Sequence, residues 1–301
     1  MNIYIGVTDE KWFEYIKNEQ LHEVNFWRPG SQPFKAIKQN DLFLFKLHYP
    51  NNYIVGGGFF VSYSYLPTYL AWDAFKNGNG TSSLSDLNKA IDGYRKKNNI
   101  IESNPYIGCI ILTDVFYFER DEWIPAPDDF GKYTVQGKRY SIGVGAGKEL
   151  YGQVQDKLAS NSNINYEEPE FTYSFTKHRI GQGAFRVIIT DNYQRRCAIT
   201  GEKTLPVLEA AHIKPVSENG PYTANNGLLL KSDFHTLFDD GYITIDPDYR
   251  IDVSKRLHDD YGNGKDYYKY HGQKLMIVPE DINNRPSKEY LEWHNENVFL
   301  G

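Results

Sequence analysis

The sequence lacks the features of a membrane or secreted protein. It contains no run of about 18 consecutive apolar residues, which a transmembrane helix would need. The stretch MNIYIGVTDEKWFEYI carries acidic residues early and has no basic region followed by an apolar run, which argues against a signal peptide. Only two cysteines occur, Cys109 and Cys197, and such scarcity is typical of a reducing compartment. We therefore expect a cytoplasmic protein without a membrane partner.

Positive charge is also in short supply. The chain has 33 Lys and Arg residues against 39 Asp and Glu residues, and a net charge of −6 argues against a protein coated with nucleic acid. The cations are nevertheless concentrated in segment 177–196, KHRIGQGAFRVIITDNYQRR. This segment is either a solvated face or a surface that binds phosphates. On the second interpretation, four arginines contact DNA: Arg179, Arg186, Arg195 and Arg196.

A length of 301 residues is sufficient for two domains, each with its own core. The clearest boundary is segment 159–171, ASNSNINYEEPEF, which is polar, is interrupted by Pro169 and shows no sustained periodicity. We predict a first domain at 1–158, a linker at 159–171 and a second domain at 172–301. The alternative is a surface loop within one larger domain.

The first half favours strands. Two β-rich runs are separated by the turn-like stretch HYPNN and predict a hairpin, in which three consecutive glycines indicate a bulge. A third strand follows, and two polar–apolar patterns predict helices. The predicted strands are 41–47, 53–63 and 106–118, and the predicted helices are 9–17 and 84–97. The predicted fold class is α+β, with a curled β-barrel and peripheral helices in the first domain.

The second half contains the segment LEAAHIKPVSENGPYTANNGLLLKSDFHTLFDDG, residues 208–241. It predicts a strand that ends near His212, a loop that ends at Asn226, a second strand, and a short helix. His235 and Asp239 are four residues apart, so both side chains lie on one face of that helix. A hairpin packed on this helix would bring all four residues together.

These residue types suit hydrolysis of a phosphodiester. His235 and Asp239 offer an imidazole and a carboxylate to a divalent cation, which neutralises charge that develops on the phosphate. Among such ions, Mg²⁺ or Mn²⁺ fits this donor set best. Neutral His212 is suited to take a proton from water, and Asn226 would hold the loop or the ring by hydrogen bonds.

Roughly residues 176–258, which include this segment, resemble the HNH nuclease family, whose core is a ββα-metal fold. The matching motifs are AAHI, NNGLLL and DFHTLFDDG. The resemblance implies that His212 is the general base, that Asn226 is an orienting residue, and that His235 and Asp239 bind metal. Many HNH nucleases have a further metal ligand directly before the first histidine, and this chain has Ala211 there. Glu209 is then the candidate third ligand. Asn225 is an alternative to Asn226.

The stretch IKQNDLFLFKLHYPNNYIVGGGFFVSY, residues 37–63, resembles the PUA-like superfamily, which includes the EVE, ASCH and SRA domains. Several members bind a nucleotide flipped out of the duplex, and the resemblance implies a pocket with stacking rings and a polar edge. The candidate base-binding residues are Phe26, Trp27, Tyr65, Trp72 and Asp73, with Asp73 accepting a hydrogen bond from a cytosine amino group. The alternative is that these aromatic residues belong to the core.

A nuclease fused to a reader of modified bases would be a modification-dependent restriction enzyme that cuts double-stranded DNA bearing modified cytosine. Two alternatives stay open. Ala211 is compatible with a nucleic-acid reader whose nuclease half is inactive, and PUA-like domains also bind RNA, which would make the enzyme an RNA-directed nuclease. One HNH site cuts one strand, so a double-strand break requires two visits or a homodimer.

Overall fold

The structure is a computed structural model that describes residues 1–97, 106–134, 136–161 and 181–301. The chain divides into two compact units, Met1–Arg179 and Ile180–Gly301. Both units mix helices and strands, which confirms the α+β class. No helix among the described residues is long and apolar enough to cross a membrane. A helix at Gly145–Asn161 overlaps the first three residues of the predicted linker. The rest of the predicted linker lies mainly outside the described residues, and its limits stay a prediction.

The first unit is built on one mixed sheet. Its strands are β1 (Asn2–Thr8), β2 (Glu23–Arg28), β3 (Leu42–Leu47), β4 (Tyr53–Pro67), β5 (Tyr106–Tyr117), β6 (Ile124–Pro125) and β7 (Gly137–Ser141). The strand order is β2-β5-β4-β3-β1-β7, and β6 pairs with β4. The helices are α1 (Glu10–Asn18), α2 (Thr68–Phe75), α3 (Leu84–Lys97) and α4 (Gly145–Asn161). A 3₁₀ turn at Lys76–Asn79 follows α2.

The predicted hairpin is confirmed, because β3 and β4 pair antiparallel with Leu42 opposite Phe59. The glycine run produces the expected irregularity, since the register of β4 against β5 shifts between Gly57 and Phe59. Strand β3 is apolar except for the buried Lys46, because both faces of the sheet are covered. Phe43 and Phe45 pack into the core that includes α1, whereas Leu42 and Leu44 pack into the core on the α4 side.

The two edge strands of the sheet are linked by a hydrogen bond at one point. The Arg28 guanidinium at the end of β2 donates to the Gln136 side-chain carbonyl, directly before β7, at 2.8 Å. The strand pairings among the described residues nevertheless follow an open path, with β2 and β7 as its ends. Closure into a barrel therefore stays a prediction.

The second unit begins with α5 (Gln182–Asn192) and contains the predicted ββα arrangement. Strands β8 (Leu208–His212) and β9 (Gly227–Lys231) pair antiparallel, and α6 (Ser232–Asp239) follows directly. The remaining elements are β10 (Ile243–Ile245), β11 (Ile251–Val253), α7 (Arg256–Tyr261), α8 (Lys265–Tyr268) and α9 (Lys288–Asn297). Helix α5 ends at Asn192. The next residues turn in the left-handed region, with φ angles of 55° at Gln194 and 58° at Arg195, so Arg195 and Arg196 lie beyond the helix.

Candidate active site

His212 is the last residue of β8, where it pairs with Gly227 of β9. Its ring stacks on Phe185 of α5, with centroids 4.0 Å apart and an interplanar angle of 8°, and Tyr222 contacts it edge-on at 5.0 Å. Gly227 allows this arrangement, because a Cβ there would collide with Ile189 of α5. The close approach of α5 to the hairpin therefore holds the imidazole between two aromatic rings.

The environment of His212 favours the neutral imidazole. Burial lowers its pKa, and His235 lowers it further, although the negative charge of Asp239 acts in the opposite direction. The Nε2 atom is buried and has no hydrogen-bonding partner within the described part of the chain. His212 also lines the adjoining cleft, where a neutral imidazole can accept a proton from a water molecule.

Asn226 is fully buried and holds the loop that follows His212. Its Oδ1 accepts from the Lys214 backbone amide at 2.9 Å, and its Nδ2 donates to the carbonyl oxygens of Lys214 and Pro221 at 3.0 and 2.9 Å. The Asn226 carbonyl also accepts from the Ile213 amide at 3.0 Å. Asn226 therefore acts on the backbone on the C-terminal side of His212 and not on the imidazole itself.

His235 lies between two carboxylates. Its Nδ1 is 2.6 Å from Glu209 Oε2 of β8, and its Nε2 is 3.2 Å from Asp239 Oδ2, one turn later on α6. Burial alone would lower the pKa of His235, but the hydrogen bonds to Asp239 and Glu209 outweigh burial and raise it. The two carboxylates thus favour a positive charge at this position.

These side chains line one open cleft of about 590 Å³. It contains His212, His235, Asp239, Glu209 and the predicted phosphate-binding residue Arg186. Asn226 lies behind it. The cleft wall also includes His294 of α9, which the sequence motifs did not indicate. In contrast, Ala211 is buried in the core and offers the cleft no ligand.

Arg195 and Arg196, two of the other predicted phosphate-binding residues, do not line the cleft. The Arg195 guanidinium lies 3.3 Å from the Asp191 carboxylate, and Arg196 Nε donates to the Gly201 carbonyl at 3.5 Å. Arg179 lies outside the described residues. Of the predicted set, Arg186 is therefore the arginine that the described structure places beside His212.

Within the ranges that the structure describes, no group of three or more His, Cys, Asp or Glu residues forms a metal-binding cluster. The two carboxylates near His235 do not converge on one point. Glu209 faces Nδ1, whereas Asp239 faces Nε2, so the two carboxylates contact opposite nitrogens. This geometry separates Glu209 from the pair formed by His235 and Asp239.

The first unit contains a second cavity, of about 430 Å³. Its aromatic lining residues are Tyr4, Trp12, Phe26, Trp27 and Tyr94, and its polar lining residues include Asp9, Arg28, His48 and Gln136. The indole N–H groups of Trp12 and Trp27 both donate to the Asn79 carbonyl, at 3.2 and 3.1 Å. One backbone oxygen thereby fixes two aromatic walls.

Two of the five predicted base-binding residues, Phe26 and Trp27, line this cavity, and three do not. Tyr65 of β4 packs against Tyr106 with centroids 5.4 Å apart. Trp72 and Asp73 lie on α2, where the Asp73 carboxylate accepts from Lys76 Nζ at 2.9 Å. Trp12 was missed because its position on the apolar face of α1 is also what a core residue would show.

Comparison with known proteins agrees with the motif. Residues 197–246 match the family described as HNH endonuclease, a span that includes β8, β9, α6 and β10. The second unit therefore carries an HNH endonuclease segment, and the protein is an enzyme of the nuclease class. No curated protein matches the chain.

Two solved structures are similar to parts of the chain. A point mutant of the ASCH protein of Zymomonas mobilis has 10% identity and a TM-score of 0.31, over 53% of this chain and 97% of that one. The modification-dependent TagI restriction endonuclease has 13% identity and a TM-score of 0.28, over 92% of this chain and 75% of that one. At these TM-scores, any finer statement of function must rest on the residues of the chain itself.

Proposed function

We propose that the protein is a divalent-metal-dependent DNA endonuclease of the restriction type, in which the second unit cuts DNA and the first unit reads a modified cytosine. The observation that carries the nuclease half is one cleft lined by His212 and by the paired side chains of His235 and Asp239. These are the base and the ligand pair that the sequence predicts.

The donor set fits a borderline or hard cation. His235 Nε2 and Asp239 Oδ2 belong to one helix face, and the Asp239 side chain is half exposed to the cleft. One imidazole and one carboxylate leave room for phosphate oxygens and water, a combination that Mg²⁺ or Mn²⁺ accepts. When bound there, the ion would supply positive charge beside the scissile phosphate.

We propose a role for Glu209 that differs from the metal-binding role the sequence predicts. Metal binding requires a neutral His235, and Glu209 Oε2 is placed to accept the proton on Nδ1 at 2.6 Å. Such a contact fixes the tautomer and the ring orientation of a metal-binding histidine. We therefore assign Glu209 to the orientation of His235 and not to the metal itself.

His212 would accept the proton of the attacking water. Its lowered pKa keeps the ring neutral near pH 7, and its contacts with Phe185 and Tyr222 restrict rotation. Asn226 holds the following loop, so the backbone of His212 is fixed as well. Arg186 adds a cation at the rim, where the DNA backbone would lie.

The cavity of the first unit supports the reading of a flipped base. Trp12 and Trp27 offer flat faces for stacking, and their positions are fixed through Asn79. The carboxylate of Asp9 lines the cavity and can accept a hydrogen bond from a cytosine amino group, the role predicted for Asp73. A homodimer for double-strand cleavage stays a prediction.

The test is cleavage of matched duplexes that carry plain, methylated or hydroxymethylated cytosine, in Mg²⁺, in Mn²⁺ and in EDTA. The proposal expects cutting that requires metal, prefers a modified duplex and disappears in His212→Ala. Binding without cutting in every metal would identify a reader with an inactive nuclease half. Equal affinity and equal cutting of all duplexes would overturn modification dependence, and preferential competition by RNA would redirect the enzyme to RNA.

A further inference from the structure

We propose that His294 is a positioning residue for the metal site, through the last turn of α6, and that α9 is therefore part of the nuclease centre. His294 lies outside the segment 197–246 that matches the HNH endonuclease family. The inference rests on the proposed function, because it concerns the placement of Asp239.

His294 is held from three sides. It is 2% exposed, and its ring stacks on Phe238 with centroids 3.8 Å apart and an interplanar angle of 13°. Its Nε2 lies 3.1 Å from the Phe238 carbonyl oxygen, which can only accept, so Nε2 carries the hydrogen. The Nδ1 atom then accepts from the Thr244 hydroxyl of β10 at 2.8 Å.

The target of this hydrogen bond is the residue directly before Asp239. Helix α6 has eight residues, and its last carbonyl groups have no donors within the helix. Those carbonyls also carry partial negative charge, which is unfavourable beside an aspartate. The Phe238 carbonyl accepts from the Gly241 amide at 3.1 Å, and the neutral His294 N–H is a second donor that ties the backbone beside Asp239 to α9.

The chain after α9 reinforces the same turn. Gly241, with a φ of +78°, ends α6, and a Cβ there would collide with the Val298 carbonyl. The Leu300 amide donates to the Gly241 carbonyl at 2.9 Å. Since the Asp239 carboxylate is half exposed, its own packing does little to fix it. The restraint comes from two hydrogen bonds to the backbone of this turn. The His294 side chain donates to the Phe238 carbonyl, and the Leu300 amide donates to the Gly241 carbonyl.

The experiment measures the Mn²⁺ dissociation constant by titration calorimetry or electron paramagnetic resonance, together with kcat and KM for DNA at saturating and limiting Mn²⁺. His294→Leu is expected to weaken Mn²⁺ binding about tenfold, as loss of an outer partner of a metal ligand does. KM for DNA should not change. His294→Gln, whose amide can still donate to the Phe238 carbonyl, should restore most of the affinity, and Thr244→Val should lie between the two.

A general loss of stability is controlled by Leu257→Ala, which opens a cavity in the same core at a residue of α7. The inference is overturned if a folded His294→Leu protein binds Mn²⁺ like wild type, or if Leu257→Ala weakens binding equally. If His294→Leu does not fold, the His294→Gln and Thr244→Val variants still test the inference. Unchanged Mn²⁺ affinity in Thr244→Val, together with lost Mn²⁺ affinity in His294→Gln, contradicts the hydrogen-bond chain. Failure of the proposed function is distinguishable, because Asp239→Ala would then leave Mn²⁺ binding unchanged and wild type would not cut.

Discussion

The cleft of the second unit and the cavity of the first unit are assembled over very different distances along the chain. The proposed base and metal-binding groups of the cleft fall between Glu209 and Asp239, on two paired strands and the helix that follows. The cavity draws its walls from α1, β2, α3 and the residue before β7, between Tyr4 and Gln136. Catalysis in the cleft depends on a few functional groups that no neighbour can replace. Binding in the cavity depends on the summed contacts of many aromatic side chains.

The largest effect is expected at the cleft. Replacement of His212 by Ala should lower kcat by about 10² to 10⁴-fold, the usual contribution of a general base. DNA affinity and the preference for modified duplex should not change, because the cavity of the first unit is untouched. Single-turnover cleavage and equilibrium binding measure the two quantities separately.

The matched control for this variant is His258→Ala, since His258 is exposed on α7. Wild-type cleavage by that variant is expected. If His212→Ala instead retained cleavage and lost the preference for modified DNA, the division of labour between cleft and cavity would be wrong.

Asn226→Ala is expected to cost about 3 kcal/mol of unfolding free energy, because it leaves buried groups of Lys214 and Pro221 without partners. Cleavage should fall as well, since the loop after His212 is released. Urea unfolding measures the stability, and Trp293, the only tryptophan in residues 180–301, reports on the second unit.

The neighbouring Asn225 provides the comparison within the same motif. Its side chain accepts from the Thr223 hydroxyl at 2.7 Å, and Asn225 is half-buried whereas Asn226 is fully buried. Asn225→Ala should therefore be milder in both stability and cleavage. A larger effect at Asn225 would reverse the assignment of the orienting asparagine.

Acid should destabilise the second unit through His294. Burial, more than the opposing hydrogen bond to Phe238, lowers the pKa of this side chain to about 4. An unfolded histidine titrates near 6.5, so below that pH the unfolded state binds the proton first and stability falls. The loss should begin below about pH 6.5 and reach about 3 kcal/mol near pH 4. Urea midpoints of wild type and His294→Gln across this range measure it, and parallel pH profiles would contradict the assignment.

The two regions also differ in what the sequence alone can predict. The placement of His212, Asn226, His235 and Asp239 follows from strand ends and helical spacing, both of which are local. The partner of each His235 nitrogen depends on side-chain rotamers, so the spacing of the motif does not predict that Glu209 contacts Nδ1. His294 reaches the cleft from α9 through tertiary packing, which no spacing within the motif indicates.

In the cavity, the pattern of aromatic residues could not separate wall from core. Phe26 and Trp27 were predicted, but Tyr65, Trp72 and Asp73 lie elsewhere and Trp12 was missed. The approach of α1 to β2 depends on the order of strands in the sheet, and that order is set by long-range pairing. The barrel closure expected from the sequence depends on the same long-range contacts.

The smallest effect is expected for the cavity of the first unit, where binding of modified DNA tests which tryptophan lines the base-binding site. Trp27→Ala should weaken binding of a modified duplex by about 1–3 kcal/mol, the usual effect of losing one stacking partner for a base. Cleavage of pre-bound DNA should remain, because the cleft is intact.

Trp72→Ala is the comparison, since Trp72 was an equally good candidate from the sequence and lies on α2 away from the cavity lining. Fluorescence anisotropy with modified and plain duplexes, beside thermal melts of both variants, measures this difference. A loss of modified-base preference in Trp72→Ala but not in Trp27→Ala would move the reading site to α2, and equal, small losses in both would mean that these rings serve the core.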